Sequence, residues 1–376
     1  MDFNPTHPST HQTYGDMLME LIAISGEFPA DNISVIISAD SYARKVITTL
    51  IADKQIKTVY RNGLRGYKLA PKGKRKLLSD NSARFEDYLQ GEVETNRVKS
   101  TLTRRLRLHA MAQVYILLFK AGVEIFKDAK PDIFSNTSTI GYKIRAPCFY
   151  SSREYRCGAG EDAKPNAIRG SRAAGALLTP THVFAIYNTG NIQIRWGDKV
   201  EQRFRVETQN TICRKLLPEQ YGSVDVGGVM IGADMGNLST YLDVKPKQQA
   251  GFYFLFNTYK PFYYITNDGH GEAQLRLLCN AAKMSALREL LSAKLIPPDG
   301  KYPIEHDALT EDGLPVLFCC LLDVPKLIRF KTGIVLHNKP GKVIAFDFQQ
   351  ETLRGFLPDG VEHVPLSFTK FIARFL

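Results

Sequence analysis

Lysine and arginine side chains neutralise phosphates where several are held together, and one part of this 376-residue chain concentrates them. Between Ser41 and Ser79 stand eleven lysines and arginines against one acid, Asp53, whereas residues 1–40 hold six acids and no lysine or arginine. The whole chain has a formal net charge of +11, so this short stretch accounts for nearly all of it. Arg44, Lys45 and Thr48 come first, then Arg61 and Arg65, then Lys68, Lys72, Lys74 and Arg75. Such groups make charge-assisted bonds to phosphate oxygens, and an arginine fork also matches base edges in a major groove. The same residues would equally serve as a solvated face.

The elements around these residues decide whether they can act together. Tyr14 to Ser25 places Met17, Leu18, Leu21, Ile22 and Ile24 on an apolar helical stripe, and Gly26 stops it. A second segment, Ala30 to Ile37, follows Pro29 and offers Ile33, Val35, Ile36 and Ile37 to a core. After a polar turn at Ser38 to Asp40, with Ser38 or Asp40 as cap, a third helix over Tyr42 to Asp53 buries Val46, Ile47, Leu50 and Ile51. Arg44, Lys45, Thr48 and Thr49 are left outside that stripe. Gln55 to Tyr60 alternates as a strand, Arg61 to Gly66 reads as a glycine-bearing turn, and Tyr67 to Ala70 is a return strand.

Tyr67-Lys68-Leu69-Ala70-Pro71-Lys72-Gly73-Lys74-Arg75 resembles the wing-to-helix ending found across bacterial winged-helix families. The order helix, helix, helix, hairpin, helix over residues 10–80 resembles a winged helix-turn-helix domain, here bounded as 1–80. The resemblance implies double-stranded DNA as partner, with Arg44, Lys45 and Thr48 in the major groove and the Arg61 to Arg65 wing on the flanking backbone. The alternative for such a module is contact with protein.

Residues 81–130 read as a helical connector dominated by one long helix, Asn96 to Gly122. Arg97, Lys99, Arg104, Arg105 and Arg107 lie in its first half, either solvated or extending the phosphate-contacting surface. Leu106, Met111, Val114, Tyr115, Leu117, Leu118 and Phe119 are suited to a core or to a homodimer interface.

From residue 131 to 376 short β-rich runs alternate with helices, giving an α+β (mixed α/β) fold class with a partly antiparallel sheet. Strands are expected at Cys148 to Ser151, Gly175 to Leu178, Val183 to Asn188, Ile192 to Trp196, Gly228 to Ile231, Phe252 to Phe256, Phe262 to Thr266, Val316 to Leu322 and Lys342 to Phe348. Helices are expected at Val200 to Leu217, Gly271 to Lys294 and Leu366 to Phe375.

No motif here dictates a reaction, and neither a catalytic set, a cofactor nor a metal site is assigned. Asp198 and Glu207, with Gln209, form a degenerate nuclease-like pattern, although a helix over this stretch would separate them. Asp225, Asp234, Asp268, Asp323 and Asp347 have no supporting spacing. Arg169-Gly170-Ser171-Arg172-Ala173-Ala174-Gly175 is a candidate anion loop or a plain loop. Tyr253, Phe254, Phe256, Tyr259, Phe262, Tyr263 and Tyr264 form a base-stacking platform or a buried strand, and their period of two favours the strand. Asp268-Gly269-His270-Gly271 is a tight turn into a helix.

The six cysteines, Cys148, Cys157, Cys213, Cys279, Cys319 and Cys320, lack zinc spacing and read as buried thiols of a reducing cytosol. Hydrophobic residues at 44% and charged residues at 23% fit a globular chain. No leader or long apolar span is seen, so a cytoplasmic location without membrane contact is expected. As a whole the chain is similar to replication-relaxation proteins of plasmids and conjugative elements of Gram-positive bacteria. That resemblance implies a role in transcriptional control or in plasmid replication and transfer, with a nuclease-like C-terminal part whose acidic pair is not clear in this sequence. The remaining alternative is a scaffold whose C-terminal sheet binds a small ligand or a protein.

Overall fold

Thr13 and Asp16 open the first helix reciprocally: the Thr13 hydroxyl accepts the Asp16 N–H at 3.1 Å, and the Asp16 carboxylate accepts the Thr13 hydroxyl at 2.7 Å. The computed structural model describes residues 13–90, 95–96, 101–134, 142–158, 170–190, 197–242, 258–298, 300 and 302–376. Helix α1 (Tyr14–Ser25) is buried throughout its second half and more, from Met17 to Ser25. It ends where Gly26 takes a φ of 85°, a left-handed conformation that favours glycine. Wide burial, rather than one stripe, marks α1 as the spine of the first of two compact units, which ends at Asp132.

After α1 come β1 (Phe28–Pro29), a short 3-10 turn (Ala30–Asn32), α2 (Ile33–Ile36) and α3 (Asp40–Ala52). The second expected helix is therefore reduced to one α turn. Neither Ser38 nor Asp40 caps α3, whose N-cap is Ala39. Strands β2 (Ile56–Arg61) and β3 (Leu64–Leu69) follow, then α4 (Pro71–Asp80), α5 (Ser82–Leu89) and α6 (Leu102–Lys120). The sheet order is β1-β3-β2, antiparallel throughout.

The hairpin turn is tighter than the expected Arg61 to Gly66. Arg61 pairs with Leu64, and the connection is Asn62-Gly63 alone, with φ values of 52° and 75°. Two consecutive positive φ values match the twist of a two-residue hairpin, and Asn-Gly is the pair that adopts them most readily. The strands consequently run up to the tip.

The expectation of a separate connector over 81–130 is corrected. Helices α5 and α6 both pack on α1, and α6 also packs on β1. Arg84 of α5 binds Glu20 of α1 at 3.2 Å and Asp128 at 2.7 Å, and its guanidinium lies 4.5 Å from the Phe126 ring centroid. Lys76 of α4 likewise joins Asp16 of α1 at 2.8 Å.

The second unit starts at Ile133. Its first part contains β4 (Cys148–Ser151), α7 (Ser152–Gly158), β5 (Gly175–Leu178), β6 (Val183–Gly190), α8 (Asp198–Thr208) with a π-helical extension (Gln209–Leu216), α9 (Pro218–Tyr221), β7 (Gly227–Gly232), α10 (Met235–Leu242) and β8 (Phe262–Thr266). Then come α11 (Gly269–Leu278), α12 (Ala281–Ser292), β9 (Ala308–Leu309), β10 (Pro315–Phe318), β11 (Leu322–Asp323) and α13 (Val324–His337). The chain closes with β12 (Gly341–Phe346), α14 (Gln350–Phe356), β13 (Val361–Leu366) and α15 (Phe368–Phe375).

Two sheets result. The larger has the order β11-β8-β7-β6-β5-β4, with β6, β7 and β8 parallel and the other pairings antiparallel. The smaller has the order β13-β12-β10-β9, with β10, β12 and β13 parallel. The chain is thus mixed α+β, and buried residues of both sheets, from Tyr187 and Tyr264 to Val343 and Ala345, share one core.

Three expected elements change. The run Val316 to Leu322 splits between the sheets as β10 and β11. The helix expected over Gly271 to Lys294 divides at Asn280, whose side chain accepts the Lys283 N–H at 3.0 Å and so starts a new helix. The end expected as helix from Leu366 is a strand up to Leu366 and a helix from Phe368. The strands expected at Ile192 to Trp196 and Phe252 to Phe256 lie outside the described residues.

Gly73, in the first turn of α4, sets how closely that helix approaches the start of the hairpin. A Cβ there would sit 2.2 Å from the Gln55 carbonyl oxygen, a backbone atom that cannot swing aside. We expect Gly73→Ala to lower stability by about 1–3 kcal/mol, the usual cost of forcing atoms into a closed contact. Urea unfolding that matches the wild type would refute this account of the α4 packing.

Candidate nucleic-acid interface

Helix α3 buries Ala43, Ile47 and Leu50 and leaves Arg44, Lys45, Thr48 and Thr49 exposed. The four exposed residues follow from the 3.6-residue period, since the buried ones stand four and three apart. Arg61 and Arg65 are also exposed, on either side of the Asn62-Gly63 turn. Side chains alternate between the faces of a strand, and Arg65 is paired with Tyr60 whereas Arg61 is paired with Leu64. The two arginines therefore occupy opposite faces of the hairpin, and Tyr60, 71% exposed, shares a face with Arg65. Lys57 is exposed on the same hairpin. Neither Lys57 nor Tyr60 was singled out by sequence, although the alternation of Gln55 to Tyr60 carried the signal.

The inward side of the hairpin is held by one cation. Arg105 of α6 is 2% exposed and grips the carboxylate of Glu27, with Nε 3.0 Å from Oε1 and Nη2 2.5 Å from the same oxygen. Its remaining donors go to the hairpin backbone: Nη1 to the Arg61 carbonyl, and Nη2 to those of Val59 and Leu64, each at 3.1 Å. His109, one turn further along α6, meets Glu27 Oε1 through Nε2 at 2.9 Å. Gly66 leaves room for this cluster, because a Cβ there would fall 2.6 Å from Glu27 Oε1 and 2.8 Å from His109 Nε2. Burial alone would raise the Glu27 pKa, but the bonds from His109 and Arg105 outweigh it and hold the carboxylate below its ordinary value.

Two expected phosphate contacts are corrected by burial. Lys68 is 1% exposed because β3 is the central strand of its sheet and is enclosed from Gly66 to Leu69. Arg105 is consumed by Glu27 and the hairpin carbonyls. Lys72 and Arg75 are exposed on α4, Lys74 is half-buried, and Arg104 and Arg107 are exposed on α6. Arg97 and Lys99 lie outside the described residues.

In the second unit the expected anion loop turns its donors inward. Ser171 Oγ donates to Glu201 Oε2 at 2.7 Å, and the Arg172 N–H donates to Oε1 at 2.8 Å. Tyr187 also donates to Glu201, at 3.0 Å, and meets the Tyr259 hydroxyl at 2.7 Å. Burial raises the Glu201 pKa, against the opposing pull of these bonds. Arg169 lies outside the described residues.

Tyr259, Phe262 and Tyr264 are core residues and Tyr263 is half-buried, so they form no open stacking platform; Tyr253, Phe254 and Phe256 lie outside the described residues. His270 is stacked on Phe348 at 4.0 Å and bonded to Asp268, which caps α11 through the His270 and Gly271 N–H groups.

The nuclease-like pair does not converge. Asp198 and Glu207 sit at opposite ends of α8, separated by about 13 Å of helical rise. Glu207 accepts from the Thr211 hydroxyl, and the Gln209 side chain bridges the Val224 carbonyl and the Val226 N–H. No group of three or more His, Cys, Asp or Glu among the described residues is placed to hold a metal ion. None of the described helices is long and apolar enough to cross a membrane. No protein-family model, curated protein or solved structure matches the chain.

Because Glu27 is more acidic folded than unfolded, its stabilising contribution is complete above the ordinary glutamate range near 4.5 and is lost as pH falls through its lowered value. Glu27→Gln leaves Arg105 buried without its carboxylate and should cost about 3–5 kcal/mol near pH 7. The penalty should shrink towards pH 3. Urea titrations across that range test this, and a pH-independent difference would contradict the proposed charge state.

Proposed function

We propose that residues 13–80 act as a winged helix-turn-helix module that binds duplex DNA, with Arg44, Lys45 and Thr48 of α3 facing the major groove and the Arg61 to Arg65 tip on the flanking backbone. The observation that carries this reading is the sorting of cations: those on α3 and on the hairpin tip face solvent, while Lys68 and Arg105 are buried beneath them. Solvent-facing arginine and lysine on two neighbouring elements give the phosphate contacts that fix register, and the α3 face supplies groups of the kind that read base edges. Lys72 and Arg75 extend the same surface along α4.

In this reading Arg105 is a positioning residue. It fixes the carbonyls of Val59, Arg61 and Leu64 and thereby the direction in which the tip projects. A role in transcriptional control or in replication and transfer of a mobile element rests on the sequence resemblance. A homodimer would read two half-sites, so the symmetry of the selected sequence reports the assembly.

Selection from random duplexes by the full chain at two salt concentrations tests the reading, and it expects enrichment of a defined site. Arg44→Ala combined with Arg65→Ala should weaken binding and reduce the slope of log affinity against log salt by about 2, near 0.9 for each lost phosphate contact. The double variant should keep the wild-type urea midpoint. Unchanged affinity and slope would remove these residues from the interface, and absence of any enriched site would refute sequence-specific binding.

A further inference from the structure

The second unit contains a cavity of about 450 Å³ between α12, β9, the end of β10 and the start of α13, within the range of small-ligand sites. It lies at Phe318, the carboxyl end of a strand that runs parallel to β12. Crevices at the carboxyl ends of parallel strands are where α/β sheets commonly seat ligands.

Two cations from different helices line this cavity, Arg288 of α12 and Lys326 of α13, together with Ser292. The Lys326 ammonium is bonded to Asp307 Oδ1, and Asp307 Oδ2 accepts the Phe318 N–H at 2.9 Å. That chain of bonds fixes Lys326 at the wall while leaving further ammonium donors. Arg288 is exposed and brings a planar five-donor fork.

His306 also lines the cavity, with Nδ1 2.7 Å from the Ile304 carbonyl. A carbonyl only accepts, so Nδ1 carries the proton and the neutral ring keeps Nε2 as an acceptor. Nε2 is buried and has no hydrogen-bond partner among the described residues. A buried acceptor beside a cavity calls for a donor from whatever fills it.

We propose that this cavity binds a phosphate monoester of a hydroxylated small molecule, a sugar phosphate or a mononucleotide. Arg288 and Lys326 take the dianionic phosphate, Ser292 donates to it, and a ligand hydroxyl donates to His306 Nε2. Leu295, Pro297 and Pro298 supply the apolar wall against the ligand body. The site is independent of the N-terminal basic face.

Isothermal titration calorimetry and thermal shifts on the full chain test this with ribose 5-phosphate, adenosine 5′-monophosphate, inorganic phosphate and ribose. At least one ester should bind and raise the melting temperature, ribose should not bind, and inorganic phosphate should bind about tenfold more weakly than that ester. A preference between the two esters identifies the ligand body. Arg288→Gln should weaken ester binding about tenfold without moving the melting temperature of the unliganded protein, since Arg288 is exposed. His306→Phe should reduce the advantage of the ester over inorganic phosphate; should that variant not fold, Ser292→Ala is expected to weaken the ester in its place. Failure of both esters to bind overturns the proposal, as does ester binding indifferent to Arg288→Gln, which would place the anion on the general basic surface.

Discussion

A guanidinium buried away from water is tolerable only with a carboxylate beside it and acceptors for its remaining protons. Arg105 has both, the first from Glu27 and the second from three carbonyls of one hairpin. The hairpin has little else to hold its tip. Beyond Ile56 its outer strand is half-buried at best, and the Asn62-Gly63 turn stands in solvent. Anchoring through backbone oxygens leaves every side chain at the tip free to project. Exposure of Arg61, Arg65 and Tyr60 is thus coupled to burial of Arg105, and the geometry of any surface they form depends on the Glu27 carboxylate remaining charged.

The same cluster explains a sequence constraint distant from it. Gly66 pairs with Val59 on one side and Pro29 on the other, in a strand where a larger residue would ordinarily pack well. No side chain fits, because Glu27 and His109 occupy the space a Cβ would need. The glycine in the return strand therefore serves a buried ionic group, whereas the glycine in the turn serves backbone conformation. Both precede α4, where Gly73 permits a third close approach, and the short glycine spacing that resembled a wing ending has three separate physical causes.

Local pattern made much of this legible. The stripe of Met17, Leu18, Leu21 and Ile22 identified α1, the Ile47 and Leu50 stripe identified α3, and the apolar runs at Cys148, Gly175, Val183, Gly228 and Phe262 identified five strands of the larger sheet. Pairing across long separations was not legible. Glu27 and Arg105 are 78 residues apart, so Arg105 looked like its neighbours Arg104 and Arg107 in a basic helix start. Lys68 was misread for a related reason: charge suggested the surface, while its place in a central strand put it inside. In the second unit, α13 escaped notice behind Pro325 at its start and Gly333 within it, and β13 was merged into the following helix. Proline is compatible with a first helical turn, where no intrahelical N–H partner is needed, but by sequence alone it reads as a break.

Two buried glutamates show how the same side chain is put to different use by its partners. Glu27 receives a bidentate cation and an imidazole, and these prevail over burial, so it persists as an anion that orients a cation and, through it, a hairpin. Glu201 receives neutral donors, Ser171, the Arg172 N–H and Tyr187, and there burial prevails and its pKa rises. A carboxylate bonded to hydroxyls and a backbone amide closes a loop onto a helix without demanding a buried cation. The loop Ser171-Arg172 thereby loses the inward donors that an external anion would need, and the Arg172 side chain is left at the surface. Counting arginines and acids along the sequence treats these sites as alike; the difference lies in whether the partner is a full charge or a dipole, which the fold alone determines.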